Sequence, residues 1–278
     1  MRAQGINDLG AKQKIIIELY DKFFRNAFRK MTEKLGIVYT PVEVVDFIIH
    51  SINDALKSEF GQTLGDKNVH ILDPFTGTGT FITRLIQSGL IDKSQLPYKY
   101  QNEIHANEIV LLAYYIAAIN IEQVYHSVED GDYMPFDGIC LTDTFALYEK
   151  KDLVSEALRD NNERLRKQKG LDIRVIMGNP PYSAGQKNEN DDNQNIEYPF
   201  LDKRISETYV QNSSKRMGKS KAYDSYIRAI RWASDRVKNR GVVGFVTGSG
   251  FIDKPAMDGI RKTLVDEFSS IYILNLRG

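Results

Sequence analysis

From residue 69 onward the chain alternates short apolar runs with longer helical stretches, a pattern that few folds can absorb. The runs fall at 69–72, 101–106, 138–141, 175–177, 242–247 and 271–276, and read as six strands. Between them, 80–88, 109–125, 153–169, 223–238 and 255–268 read as helices. Short apolar strands alternating with helices predict an α/β fold, a parallel sheet covered on both faces. Such sheets bind ligands beyond the carboxyl ends of their strands. The residues that follow each strand are therefore the candidates for chemistry.

Two helical stretches precede the first strand. Residues 11–35 carry Ile16, Leu19, Tyr20, Phe23, Phe24 and Phe28 at three- and four-residue steps, an amphipathic helix. Residues 42–57 repeat that spacing with Val44, Val45, Ile48, Ile49, Ile52 and Leu56. The intervening Tyr39-Thr40-Pro41 predicts an N-cap at Thr40, with Pro41 opening the helix. One segment breaks the rhythm: 183–222 is polar, rich in Asn, Lys and Ser, and expected to be a flap or a structureless insertion.

Composition narrows the function. Lys+Arg and Asp+Glu both number 37, which argues against coating nucleic acid by bulk charge. A local basic face is compatible with that balance: residues 203–240 hold eleven Lys/Arg against three acids, and contact with phosphates is the expected role. The single cysteine, Cys140, excludes an intramolecular disulfide and fits a reducing cytoplasm; it sits in an apolar run and reads as core. Four scattered histidines predict no metal site. No apolar run approaches the ~20 residues of a membrane span, and the first residues lack the apolar centre of a secretory signal, so a cytoplasmic location is expected.

The first strand runs into Asp73-Pro74-Phe75-Thr76-Gly77-Thr78-Gly79. Glycines allow a tight turn and a close backbone approach to a ligand. The dinucleotide fingerprint lacks its third glycine, since Ile82 stands there, and the P-loop pattern is absent. An acid ahead of the glycines repels phosphate and suits a ligand with an ammonium group. S-adenosylmethionine is such a ligand; a plain tight turn is the competing reading. Asn107-Glu108, after the second strand, offers a carboxylate for ribose hydroxyls or, equally, a helix cap.

The fourth strand runs into Asn179-Pro180-Pro181-Tyr182. Two prolines stiffen the backbone and remove two N–H donors, leaving carbonyls beside an amide side chain. Such acceptors suit an amino group on a planar ring, and Tyr182 can stack on that ring. A ring-conjugated amine is a poor nucleophile, because its lone pair is delocalised. Acceptors on its hydrogens favour rehybridisation and stabilise the charge that develops as it attacks a sulfonium methyl. A rigid turn with a packing tyrosine is the competing reading.

In this order the motifs resemble the amino-group DNA methyltransferases of the N6-adenine type, over roughly residues 36–278, and most nearly the methyltransferase module of type ISP restriction-modification enzymes. The resemblance implies a Rossmann-like S-adenosylmethionine-dependent methyltransferase fold. It implies cofactor contacts from Tyr39, Thr40, Pro41, Asp73, Pro74, Phe75, Thr76, Gly77, Thr78, Gly79, Glu108, Asp143 and Phe145. It assigns catalysis to Asn179, Pro180, Pro181 and Tyr182, with Phe251 as a further pocket wall, and no metal. The expected substrate is double-stranded DNA with a flipped adenine. Residues 1–35 then resemble a helical spacer, and 36–278 the catalytic domain. Nuclease, helicase-like ATPase and target-recognition parts are expected elsewhere in the polypeptide, because the chain ends directly after an expected strand where the family continues. Alternatives are a protein-glutamine N5 methyltransferase, or a non-catalytic cofactor-binding fragment of a larger DNA-processing enzyme.

Overall fold

The computed structural model describes residues 40–149, 159–181, 198–214 and 223–276. The amphipathic stretch at 11–35, Tyr39 and Tyr182 lie outside them. In chain order the elements are α1 (Val42–Phe60), β1 (His70–Asp73), α2 (Thr80–Gln87), α3 (Leu96–Asn102), β2 (Ile104–Glu108), α4 (Leu111–Val128) and β3 (Ile139–Leu141). Then follow α5 (Arg159–Gly170), β4 (Ile173–Gly178), α6 (Pro199–Ile205), α7 (Ser225–Arg236), β5 (Val242–Phe245), α8 (Gly250–Asp253) and α9 (Asp258–Glu267).

The sheet order is β3-β2-β1-β4-β5, and every pair is parallel. The chain builds outward from β1 through β2 to β3, then returns to place β4 on the other side of β1. That makes the β1/β4 boundary the topological switch point, where such sheets open a crevice. Register pairs Ile71 with Val175 and Leu72 with Ile176, so Asp73 and Gly178 end neighbouring strands.

Strand residues alternate between two apolar layers. Ile71, Val175 and Met177 pack with Val45 and Ile49 of α1, Ile82 and Leu85 of α2, and Ala117 and Ile121 of α4. Leu72 and Ile176 face the other way, against Leu201 and Ile205 of α6, Ile227 and Trp232 of α7, and Ile260 of α9. Each fully buried Leu or Ile side chain contributes about 1.5–3 kcal/mol, so the three-layer sandwich rests on these residues. Cys140 is buried in β3, and burial pushes its thiol up to about 11, which keeps it inert.

Several expectations need correction. The expected strand at 101–106 splits: Gln101 and Asn102 close α3, and β2 begins at Ile104. Thr40 is not the N-cap of α1. Pro41 takes that place, and its extended ψ of 138° carries Thr40 away from the free N–H groups of the first turn. Residues 271–276 form no strand; Tyr272, Ile273 and Leu274 are exposed, and among the described residues β5 pairs only with β4. A strand exists through a paired neighbour, and here none is supplied. The polar insertion is not structureless where it is described. It holds α6 and a π-helical turn at Ser206–Val210, anchored by buried Leu201, Ile205 and Tyr209.

The expectation for the basic segment is corrected only in part, and its Lys215, Arg216, Lys219 and Lys221 lie outside the described residues. Arg228 makes two 2.8 Å bonds to Asp202, Arg231 pairs with Asp235 and Glu267, and Arg204 pairs with Asp235. Arg236 donates to the carbonyls of Leu171 and Gln168. Arg228 and Arg231 are buried. These four arginines hold helices together instead of facing phosphates. Lys203, Lys238 and Arg240 of the segment are exposed.

Gly138 precedes β3, and a Cβ there would collide with the Ile104 carbonyl oxygen on β2. The strands cannot separate without loss of the Ala106 N–H bond to the Gly138 carbonyl at 3.0 Å. We expect Gly138→Ala to cost about 1–3 kcal/mol, as overpacking does. Urea denaturation checks this, and a loss below about 0.5 kcal/mol would contradict the packing described.

Candidate active site

The crevice at the switch point is built first from the loop after β1. Gly77 and Gly79 both have positive φ, +57° and +89°, which side chains with a Cβ rarely adopt. Their roles differ. A Cβ on Gly79 would press on Ile121 and Ala117 of α4 at 3.2–3.4 Å, so this glycine lets α2 start close against α4. Nothing lies within 4 Å of a Cβ placed on Gly77. Close approach by a ligand is therefore open at Gly77, whereas Gly79 serves helix packing.

Side chains stitch this loop to its neighbours. Thr76 donates its hydroxyl to the Asp73 carbonyl at 3.0 Å and its N–H to the Asn107 carbonyl at 3.0 Å. The Thr144 hydroxyl donates to the Pro74 carbonyl at 2.6 Å, and the Asn107 amide donates to Thr144 Oγ1 at 3.3 Å. The loops after β1, β2 and β3 thus form one bonded rim.

Two buried carboxyls lie on it. Asp73 Oδ1 accepts the Phe75 N–H at 3.0 Å. Asp73 Oδ2 and Asn107 Oδ1 are buried with no hydrogen-bond partner among the described residues. Burial pushes the Asp73 carboxyl up to about 8; the Phe75 bond opposes the shift and the Glu108 charge adds to it. Glu108 accepts the Gly77 N–H and the Val110 N–H, each at 2.8 Å, and burial raises it to about 7 against those bonds. Glu108 therefore acts twice: it accepts the Val110 N–H at the entry to α4, where a helix cap was the competing reading for Asn107, and it fixes the glycine loop.

The catalytic candidates arrive from β4. A Cβ on Gly178 would stand 2.8 Å from Asp73 Oδ1, which brings the tetrapeptide's strand against the glycine loop. Asn179 follows directly, and its amide Nδ2 donates to Thr40 Oγ1 at 2.9 Å. Thr40 and Pro41 therefore do reach the site, and Thr40 contacts the catalytic candidate itself. Pro180 is buried and Pro181 half-buried.

Aromatic and acidic groups line the β3 side. Asp143 accepts the Phe145 N–H at 2.9 Å and the Tyr198 hydroxyl at 2.7 Å. The Phe145 ring meets Phe75 and Tyr198, both with centroids 5.4 Å away, and Phe75 meets Phe245 at 6.2 Å. Phe251, half-buried on α8, packs against the apolar layer beneath this side. The structure thus brings Thr40, Pro41, the 73–79 loop, Glu108, Asp143, Phe145, Asn179, Pro180 and Pro181 to one edge of the sheet. Sequence reasoning missed Tyr198, which carries no motif; Thr144 stands inside the Asp143–Phe145 segment, but its bonds to Pro74 and Asn107 are not announced by that motif. Among the described residues no group of three His, Cys, Asp or Glu could hold a metal, and no helix is long and apolar enough to cross a membrane.

Comparison with known proteins agrees with this fold. No curated protein matches the chain. Among solved structures, the ATP-dependent Type ISP restriction-modification enzyme LlaBIII bound to DNA is 51% identical with a TM-score of 0.87; the match covers 96% of this chain and 18% of that one. The DrdV–DNA complex is 45% identical with a TM-score of 0.88, covering 95% and 26%. A nuclease-deletion mutant of the Type ISP enzyme LlaGI, with a DNA substrate mimic, is 51% identical with a TM-score of 0.86, covering 96% and 22%. The chain thus spans about a quarter or less of the length of these relatives. The profile of one protein family, N-6 DNA Methylase, matches residues 11–274, from the amphipathic stretch through the glycine loop and the Asn-Pro-Pro-Tyr tetrapeptide to the end of the described fold. By that match, and by the site assembled at the switch point, the chain belongs to the N-6 DNA methylase family.

Proposed function

We propose that this chain is the modification module of a restriction-modification enzyme and transfers a methyl group from S-adenosylmethionine to the N6 amino group of adenine in DNA. One observation carries the reading: the Asp73–Gly79 loop and Asn179-Pro180 end adjacent parallel strands at the switch point. A cofactor loop and an amine-holding tetrapeptide are thereby set side by side.

The residues fit this cofactor. Buried Asp73 Oδ2 and Asn107 Oδ1 are acceptors awaiting donors, as an ammonium group or hydroxyls would supply. Glu108 gives three of a carboxylate's roughly four acceptor positions to the backbone N–H groups of Gly77, Val110 and Ile109, so a ribose hydroxyl can share it. The methyl donor supplies an electrophilic sulfonium methyl. Asn179 and the Pro180 carbonyl then hold the adenine amine and favour charge on its nitrogen, with Tyr182 against the base. The N–C bond forms as the S–C bond breaks, and the amine gives up a proton.

The similar structures are complexes with DNA or a DNA substrate mimic, and two of them are Type ISP enzymes. We accordingly assign double-stranded DNA as substrate, further nuclease, ATPase and recognition parts as partners, and the cytoplasm as the place of action. Residues 1–35 serve as spacer, 36–278 as catalytic domain and 183–222 as flap. The test incubates the full-length protein with tritiated S-adenosylmethionine and unmodified DNA, then separates the nucleosides. Label in N6-methyl-2′-deoxyadenosine is expected. Label in protein instead, or none in DNA, would overturn the proposal.

A further inference from the structure

We propose that Tyr198 is a positioning residue that fixes the Asp143 carboxylate as acceptor for the exocyclic amine of the cofactor's adenine. The inference rests on the reading of Asp143 as a cofactor contact and adds a residue from outside every motif.

A carboxylate on a surface loop can rotate, and one that reads an amino group must not. Asp143 is held at both oxygens. Oδ1 accepts the Phe145 N–H at 2.9 Å and Oδ2 accepts the Tyr198 hydroxyl at 2.7 Å. The first bond is local and arises from the turn. The second comes from a residue 55 positions away, at the start of α6. Two acceptors used of roughly four leave the carboxylate able to take an amine hydrogen in a fixed plane.

Tyr198 is itself locked. Its ring lies edge-on to Phe145, with 5.4 Å between centroids, and the Arg228 guanidinium sits 5.2 Å from its ring centroid. Arg228 is in turn held by both oxygens of Asp202 on α6. A second stitch joins the same two segments: Glu149, just beyond Asp143 and Phe145, accepts the Phe200 and Leu201 N–H groups at the N-terminus of α6. Burial, and then the Asp143 charge, push the Tyr198 hydroxyl well above the usual phenol range, so it stays a donor. Asp143 is thus oriented by the chain that returns from the catalytic tetrapeptide, so cofactor reading and the flap are mechanically joined.

A merely structural tyrosine would not affect which purine is chosen. Calorimetry on this chain therefore compares S-adenosylhomocysteine with S-inosylhomocysteine, which lacks the amino group, in wild type and in Tyr198→Phe. The variant keeps the ring and loses the hydroxyl. Wild type is expected to prefer the adenosyl ligand at least tenfold. In Tyr198→Phe that preference should shrink about fivefold, mainly through weaker adenosyl binding, with the melting temperature within about 3 °C, as loss of one charge-assisted bond predicts. An unchanged preference in Tyr198→Phe overturns the proposal while the Asp143 reading stands. No preference in wild type overturns the Asp143 reading and the proposal with it, and binding of neither ligand overturns the cofactor assignment beneath both.

Discussion

In the full-length protein, Asn179→Ala should bind S-adenosylmethionine within about threefold of wild type and transfer its methyl group about 10²–10³ times more slowly. The expectation follows from where Asn179 sits. It directly follows β4, next to the glycine on which a Cβ would press against Asp73, and its amide nitrogen donates to Thr40. Oxygen and nitrogen stand on one amide carbon, so anchoring the nitrogen fixes where the oxygen points. A preorganised polar group aimed at developing charge is worth about 3–4 kcal/mol in comparable sites. Alanine removes that group and leaves the Thr40 hydroxyl without its donor, a fold cost of only about 1 kcal/mol. Single-turnover kinetics at saturating cofactor separate binding from chemistry. A variant keeping more than a tenth of the wild-type rate would remove Asn179 from the reaction.

Much of this arrangement is legible in the sequence because the central strands are buried on both faces. Ile71, Leu72 and Val175 to Met177 are continuous apolar runs for that reason, and the loops they deliver carry glycine and proline at positions with a backbone purpose. Strand β2 is harder to read. Its sequence, Ile-His-Ala-Asn-Glu, is polar yet wholly buried, because each polar side chain has a role: His105 meets His70 at 3.0 Å, Asn107 meets Thr144, and Glu108 holds the glycine loop. Lys99 disguises α3 in the same way. It is almost fully buried and caps the carbonyls of Asp66 and Val69 while pairing with Glu103, a use of lysine that residue type alone does not announce.

Other misreadings arise where structure depends on distant partners. Ile271 to Leu276 has the composition of a strand, but pairing is not a local property. The basic count over 203–240 omits Asp202 and Glu267, which lie outside that window and neutralise Arg228 and Arg231 inside the fold. Leu201, Ile205 and Tyr209 do stand four residues apart, a helical signal diluted by the polar residues around them. Tyr198 carries no such signal; its meaning is its distance to Asp143.

The affinity for S-adenosylmethionine should trace a bell against pH with its maximum near 8. On the acid side the cause is Asp73. Burial holds its carboxyl at about 8, so below that pH the free protein carries it protonated, and binding a cation there requires the proton to leave. On the alkaline side the ligand's own α-amino group, with an ordinary pKa of about 8, loses the charge that Asp73 would meet. With both groups near 8, affinity at pH 6 should be roughly 25-fold weaker than at pH 8. Calorimetry in buffers of different ionisation enthalpy adds a second reading, because protons must be released on binding at pH 6.5. Asp73→Asn should weaken binding at pH 8 and flatten the acid limb. Stability carries the same signature with a defined sign. A carboxyl raised from about 4 in the unfolded chain to about 8 in the folded one supports folding below pH 4, and that contribution is lost as pH rises through 8. Asp73→Asn should therefore reduce the fall in melting temperature between pH 5 and pH 8. An acid limb that persists unchanged in Asp73→Asn would place the titrating group elsewhere and detach Asp73 from the ligand's charge.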